Sequence, residues 1–420
     1  MTVRIERPEY GGTFVGLDEA GAGHSARFVL PGELVELPSL RVLEASGERV
    51  APRCRHFGVC GGCDYQHSSD AEQIRIKKEI LLETLQAAGL TGLPDVVVHA
   101  GEPWEYRNRV RFRVEAVDGA FHAGYNRRGG REFLPIAECP ISSRLLLRAA
   151  EALLKLADGK EPGRRWLAST AEVEFFASND EKTLQMTVLT RDGRIEGFAE
   201  FCGALAAMVP ELVGAGVLAA SAGYGAKERA TWGTGGLVQE VRDRRYWVSR
   251  GGFFQVNRVL VEEMVELVTA GRRGALAWDL YAGVGLFSRV LAGSFELVVG
   301  VEVGEPAASD LARAPKKTEH LQAVTMETVA FLRAAAVQRE RPDLIVMDPP
   351  RAGIGAEVCG LLERIGAAEI VYVSCDVVTL ARDLFLLVDS GYRVAEVHLI
   401  DMFPQTFHLE TVVFLSKTMV

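Results

Sequence analysis

Cysteine is scarce in this chain, seven among 420 residues, which at this length does not make a disulfide scaffold. Long apolar runs are missing as well, so no segment reads as a bilayer span. The first residues, Met1-Thr2-Val3-Arg4-Ile5-Glu6-Arg7, carry charges where a secretion signal needs an apolar core. A cytoplasmic address without membrane contact is expected. Basic excess is absent too. Lys and Arg number 47 against 56 Asp and Glu, a formal charge of −9. That excludes a surface coated in positive charge and leaves room for a local basic groove. Internal repeats and low-complexity tracts are not found. What is present, 48% hydrophobic and 25% charged residues, is the balance of a soluble globular protein, and the length implies two or three domains.

Residues 1–53 read as a small β unit. Strand candidates Val3–Arg7, Phe14–Leu17, Arg27–Val29 and Leu34–Leu37 alternate with turns at Gly11-Gly12, Gly21-Ala22-Gly23 and Pro31-Gly32. An OB-like barrel needs five strands, and the fifth is hard to find. A cysteine group follows, then a helix candidate from Asp70, as its cap, to Ala88. Residues 54–250 form the expected central α+β domain. Within it, Arg107 to Arg113 alternates so that one strand face carries several arginines.

From residue 251 to 420 short apolar strands alternate with helices, which predicts a Rossmann-like, doubly wound parallel sheet. Its strands end at Asp279, Glu302, Asp348 and Ser374-Cys375. Ligands of such sheets sit beyond the carboxyl ends of the strands, so these side chains converge on one cleft. Asp279-Leu280-Tyr281-Ala282-Gly283-Val284-Gly285 is a strand–turn–helix whose glycines let backbone approach a ligand closely. Glu302 stands where a carboxylate accepts ribose hydroxyls. Ser288 lies near the place where a dinucleotide site wants a third glycine, which favours a nucleoside cofactor without phosphates. The pair resembles the first two motifs of class I methyltransferases. An ordinary βα turn with a capping acid is the plain alternative.

Five further segments are Phe253-Phe254-Gln255-Val256-Asn257, Asp348-Pro349-Pro350-Arg351-Ala352-Gly353, Val371-Tyr372-Val373-Ser374-Cys375-Asp376, Asp401-Met402-Phe403-Pro404-Gln405-Thr406 and His408-Leu409-Glu410-Thr411. With Thr379-Leu380-Ala381-Arg382-Asp383 they resemble the RNA 5-methyluridine (uracil-C5) methyltransferase family. The resemblance implies S-adenosylmethionine as methyl donor, Cys375 as nucleophile and Glu410 as proton acceptor. It also implies that Gln255, Tyr281, Glu302 and Asp348 contact the cofactor or the target base, beside Gly283 and Gly285 of the turn. Such chemistry needs a thiolate, a base and a positively charged methyl within one cleft, because carbon 5 of uracil is a poor nucleophile until a thiolate adds to carbon 6. On their own, Cys375 reads equally as a small buried residue and Glu410 as a solvated one. Asp376-Val377 departs from the usual Asn-Pro, and Leu286 replaces a usually polar residue.

Cys54, Cys60 and Cys63, with Cys139, offer four thiolates. Spacing leaves zinc and an iron–sulfur cluster open. The segment around Cys54–Cys63 resembles the ribosomal RNA branch of the same family, which implies a [4Fe-4S] cluster. The N-terminal unit resembles the TRAM module, an OB-like RNA binder, in shortened form. Arg107–Arg113, Arg127-Arg128 with Arg131, and Arg242 with Arg244-Arg245 are candidate phosphate contacts, with Tyr106, Tyr125 and Phe133 as stacking candidates.

The expected function is methylation of a specific uridine in 23S ribosomal RNA by a monomer, through a covalent adduct of Cys375 with carbon 6 of the base. The same chemistry on the transfer RNA T-loop is the nearest alternative. A non-catalytic RNA-binding iron–sulfur protein is another. Asp348-Pro349-Pro350 also suggests an amino-group methyltransferase, but Arg351 stands where that class carries an aromatic residue.

Overall fold

The structure, a computed structural model, describes residues 1–158, 162–219, 228–313 and 320–417. Five strands come first: β1 (Thr2–Glu9), β2 (Thr13–Asp18), β3 (Gly23–Ala26), β4 (Leu34–Glu36) and β5 (Arg41–Glu44). They lie in the order β3-β2-β1-β4-β5, all neighbours antiparallel. Val3, Ile5, Phe14 and Val35 are buried beneath them. Two expectations change here. The third strand ends at Ala26 instead of covering Arg27–Val29, because Phe28 takes φ +62°, a left-handed conformation that ends a strand. The fifth strand exists. Three of its four residues are exposed, so it carries no apolar alternation to reveal it.

Next come α1 (Asp70–Ala87), β6 (Val96–His99), β7 (Arg109–Val117), β8 (Ala120–Asn126), β9 (Phe133–Pro135), α2 (Arg144–Asp158) and α3 (Gly163–Ser169). They are followed by β10 (Thr170–Ala177), β11 (Leu184–Thr190), α4 (Phe198–Met208), β12 (Leu212–Ala219) and β13 (Glu228–Gly233). The second sheet runs β13-β12-β11-β10-β7-β8-β9. Phe112, Val173, Phe175 and Met186 pack there with Leu146, Leu153, Trp166 and Phe201 of the helices. Ser69, not Asp70, caps α1, accepting from the Glu72 N–H at 3.2 Å.

The remaining elements are β14 (Gly236–Val241), β15 (Arg244–Ser249), α5 (Val261–Thr269), β16 (Gly274–Leu280), α6 (Ser288–Leu291), β17 (Phe295–Glu302), α7 (Ala307–Ala312) and β18 (Leu321–Thr325). Then follow α8 (Thr328–Gln338), β19 (Leu344–Met347), α9 (Gly355–Ile365), β20 (Glu369–Ser374), α10 (Val377–Asp389), β21 (Tyr392–Ile400) and β22 (Glu410–Lys417). The third sheet has the order β18-β17-β16-β19-β20-β22-β21-β6. Its first five strands are parallel, and β22 is antiparallel to both neighbours. Ile345 and Met347 pack on one face with Trp278 and Tyr372. Leu344 and Val346 pack on the other with Val371 and α5. Both faces are covered, which is why these strands read as continuous apolar runs.

Packing joins segments on either side of residues 53 and 250. Strand β6 extends the third sheet in parallel with β21. Val3, Ile5 and Phe14 share a core with Ile76 and Ile80 of α1 and Leu384 of α10. The β14–β15 hairpin packs with α5 and Leu286.

The loop between β21 and β22 is clamped from several sides. Lys77 of α1, fully buried, donates to Asp401 at 2.6 Å and to the Phe403 carbonyl at 2.9 Å. Tyr106 donates to the Pro404 carbonyl at 3.1 Å, and Asn257 to the Met402 carbonyl at 3.1 Å. Gln73 and Gln405 are joined by two hydrogen bonds. The conspicuous Asp401–Thr406 motif is therefore held on a rigid path into Glu410.

Candidate active site

The topological reversal of the third sheet lies between β16 and β19, the place where ligands of such sheets bind. Asp279, next to the end of β16, is fully buried. Its Oδ2 accepts from both the backbone N–H (2.9 Å) and the hydroxyl of Ser288. Its Oδ1 is buried without a partner. Burial pushes the Asp279 carboxyl up to about 7. Ser288 was noticed in the sequence only as a missing glycine; here it orients Asp279.

The turn that follows has the backbone a close-lying ligand needs. Tyr281 holds φ +61° and Gly283 φ +55°. Strain of this kind in a non-glycine residue gathers at functional sites. A Cβ on Gly283 would meet nothing within 4 Å, so that position faces open space, whereas one on Gly285 would come within 2.7 Å of Leu311. Gly283 leaves room for a ligand and Gly285 serves packing. Glu302 closes the turn, accepting from the N–H groups of Gly283 (2.9 Å), Val303 (2.9 Å) and Gly304 (2.6 Å). A carboxylate has about four acceptor positions, so Glu302 keeps little capacity beyond this structural duty.

Asp348 follows β19 and accepts from the Gln255 amide at 3.4 Å. Burial first, and the Asp279 charge second, push its carboxyl up. Gln255 is buried in a segment locked to the central unit: the Asn108 N–H donates to the Val256 carbonyl at 3.0 Å.

Ser374, the last residue of β20, pairs with Thr411 of β22, so Cys375 follows the end of one strand while Glu410 begins the other. Burial pushes the Cys375 thiol up to about 11, with the Glu410 and Asp348 charges adding and the Arg351 guanidinium opposing. Glu410 is buried, and burial with the Asp348 charge raises it well above the usual carboxylate range. Asp376 caps α10, accepting from the N–H groups of Val378 (3.1 Å) and Thr379 (3.0 Å). Thus Gln255, Asp279, Asp348, Cys375 and Glu410 are linked in series by a hydrogen bond and by their charges, with the Arg351 cation acting on Cys375 and Glu410. Arg351 is legible in the sequence only as the residue that stands where an amino-group methyltransferase carries an aromatic one. Its charge acts on groups contributed by other strands, a relation no local pattern carries.

The four N-terminal and central cysteines also converge. Cys54, Cys60, Cys63 and Cys139 line one cavity of about 390 Å³ with Gln66 and Tyr125. The bridge between Cys60 and Arg127 brings the first loop onto β8's end, and Arg128 donates to the carbonyls of Cys60 and Cys63, the latter at 2.6 Å. Among the described residues no three His, Cys, Asp or Glu side chains converge tightly enough to hold a single metal ion.

Several candidate RNA contacts are otherwise engaged. Arg128 pairs with Asp64 at 2.8 Å and Arg127 with Glu132 at 2.9 Å. Arg109 lies over the Phe176 ring at 3.8 Å, and Arg111 pairs with Glu174 at 3.0 Å. Arg242, Arg244 and Arg245 pair with Glu266, Asp243 and Glu240. Tyr106 is fully buried and Tyr125 stacks on Phe112, so neither is a free stacking surface.

Comparison with known proteins agrees with this geometry. The family profile described as tRNA (Uracil-5-)-methyltransferase matches residues 69–418. An uncharacterized RNA methyltransferase of Streptomyces coelicolor is 33% identical, over 99% of this chain and 92% of its own length. The 23S rRNA (uracil(1939)-C(5))-methyltransferase RlmD of Chromohalobacter salexigens is 30% identical over 98% and 88%. The fold matches the Pyrococcus abyssi tRNA (uracil-54, C5)-methyltransferase solved with S-adenosyl-L-homocysteine: TM-score 0.74, 21% identity, 99% of this chain and 100% of that one. No described helix is long and apolar enough to cross a membrane. The chain belongs to the tRNA (uracil-5-)-methyltransferase family and is an RNA uracil-C5 methyltransferase.

Proposed function

We propose that this protein, acting as a cytoplasmic monomer, methylates carbon 5 of one uridine in 23S ribosomal RNA, with Cys375 as nucleophile and Glu410 as base. The observation that supports the reading is the electrostatic influence of Glu410 and Asp348 on Cys375, next to the Ser374–Thr411 pair that joins β20 to β22. The Cys375 sulfur adds to carbon 6 of the uracil, and the electron pair moves onto carbon 5. Carbon 5 forms its new bond to the methyl as the methyl's bond to the donor's sulfonium sulfur breaks, that electron pair leaving with the now neutral sulfur. Glu410 then takes the carbon 5 proton, the sulfur–carbon 6 bond breaks, and the thiolate returns. Asp348 and Gln255 border the ring and orient it by hydrogen bonds.

S-adenosylmethionine supplies the electrophilic methyl when bound. The orphan Asp279 Oδ1 fits a ligand amino or hydroxyl donor, and the open Gly283 position fits close approach. Tyr281 and Glu302 border the same turn. The raised carboxyls of Asp279, Asp348 and Glu410 also suit a cationic ligand, whose charge favours their ionised forms.

Cys54, Cys60, Cys63 and Cys139 would hold a [4Fe-4S] cluster. Support comes from the donor set and the size of the cavity they line. The cluster's part is to staple the loop before α1 to the central sheet, since methyl transfer is redox-neutral.

Ribosomal RNA is favoured over the T-loop by the RlmD relative, which aligns over nearly the whole chain. Nucleotide-resolution mapping of 5-methyluridine in 23S and transfer RNA, from wild type and a deletion strain, tests this. Loss confined to one 23S position is expected. Loss confined to transfer RNA would replace the substrate, and no loss of 5-methyluridine in either would sink the reading.

A further inference from the structure

The turn between β1 and β2 reaches the catalytic loop, although some 365 residues separate them in sequence. The Tyr10 hydroxyl donates to Asp376 Oδ2 at 3.2 Å. The ring of Tyr10 stands edge-on to Phe407, centroids 5.7 Å apart and planes at 83°. Asp376 follows Cys375 directly, and its other oxygen caps α10 through Val378 and Thr379. One carboxylate therefore joins the start of α10, the residue beside the nucleophile and the N-terminal sheet.

The turn itself is held firmly enough to act as a support. Gly11 and Gly12 take φ +102° and +81°, values that L side chains rarely adopt. A Cβ on Gly12 would lie 3.1 Å from Arg27 and from Asp64. Asp64 in turn donates its N–H to the Gln405 carbonyl at 2.9 Å, on the loop that leads into Glu410. Burial and the Asp376 charge push the Tyr10 phenol well above its usual range, so it stays a donor at any working pH.

We infer that Tyr10 is a positioning residue for the nucleophile: through Asp376 it fixes the backbone that presents Cys375, so the N-terminal sheet takes part in the chemical step as well as in any grip on RNA. This rests on the proposed role of Cys375. The test is Tyr10→Phe, which keeps the ring on Phe407 and removes only the donor. Two measurements are made on the full-length protein. Amide hydrogen exchange across residues 374–380 needs neither RNA nor methyl donor, and faster exchange is expected at the capped Val378 and Thr379 N–H groups. Single-turnover methylation of RNA should slow by about tenfold, the factor for ~1.4 kcal/mol of lost positioning, with the RNA concentration for half-saturation unchanged. Asp376→Ala should remove the same coupling, so adding Tyr10→Phe to it should slow the reaction no further. Unchanged exchange, a rate within twofold of wild type, or a loss confined to RNA affinity would each overturn the inference. If wild type itself puts no methyl on carbon 5, the function falls, while the exchange result still judges the contact.

Discussion

The Glu410 charge acts on the Cys375 thiol just beyond the Ser374–Thr411 pair that joins β20 to β22. Burial raises both groups, the Glu410 charge adds to Cys375, and the Asp348 charge adds to each.

The proposed roles of these groups predict two different failures. Cys375→Ala should lower methyl transfer by at least about 10³-fold, as loss of a covalent nucleophile does, and form no RNA adduct. Glu410→Gln should still form the adduct and methylate it but release it slowly. Denaturing gels of enzyme with labelled RNA separate the two. A Glu410→Gln protein that turns over normally would remove Glu410 from the mechanism.

Thiol reactivity should follow the same electrostatics. Alkylation of Cys375 by iodoacetamide, followed by mass spectrometry, should be slow near neutrality and rise towards pH about 11. In Glu410→Gln the repulsive charge is gone, so the profile should move to lower pH. It should stay above an ordinary thiol, because burial is the larger cause. A profile that moves up instead would contradict the arrangement.

Asp279 and Asp348 both have folded-state values raised above their unfolded ones. The native state then binds more protons than the unfolded state, so stability falls as pH rises. Their contribution is complete below about pH 4 and is lost as pH climbs through about 7. Thermal melts of the ligand-free protein over this window should show a falling Tm, with a shallower fall in Asp348→Asn. Equal slopes would show that Asp348 ionises freely.

Lys77 and Asp401 form a buried ion pair at 2.6 Å. Lys77→Met should destabilise by about 3–5 kcal/mol, because Asp401 keeps a buried charge without its partner. Lys77→Met with Asp401→Leu should recover much of that loss. Urea denaturation measures both, and a single-mutant loss below about 1 kcal/mol would mean that water reaches Asp401.

The cysteine cavity makes a spectroscopic prediction. Protein purified without oxygen should be brown with broad visible absorption, and Cys63→Ser should lose iron and colour. A colourless wild type carrying zinc would refute the cluster.

Much of the third sheet was legible because β16, β19 and β20 are short apolar runs, each with a polar residue at or beside its carboxyl end. The carboxyl-end positions of Asp279, Glu302, Asp348 and Cys375 followed from that pattern. Strand β5 was not legible, since its exposed residues leave no periodicity. Nor was β6, whose place at the sheet edge depends on β21, some 300 residues away. The arginine-rich face of β7 was visible as alternation, but its partners Glu172 and Glu174 come from β10.

By itself the sequence determined which chemical groups stand at strand ends and turns, because burial periodicity and glycine conformation are local properties. Only the tertiary structure decided which of them meet. The electrostatic influence of Glu410 on Cys375, the approach of Tyr10 to Asp376 and the gathering of Cys139 with Cys54, Cys60 and Cys63 all join distant segments. Such contacts are set by ladder register and by the packing of a shared core, neither of which any short stretch of chain contains.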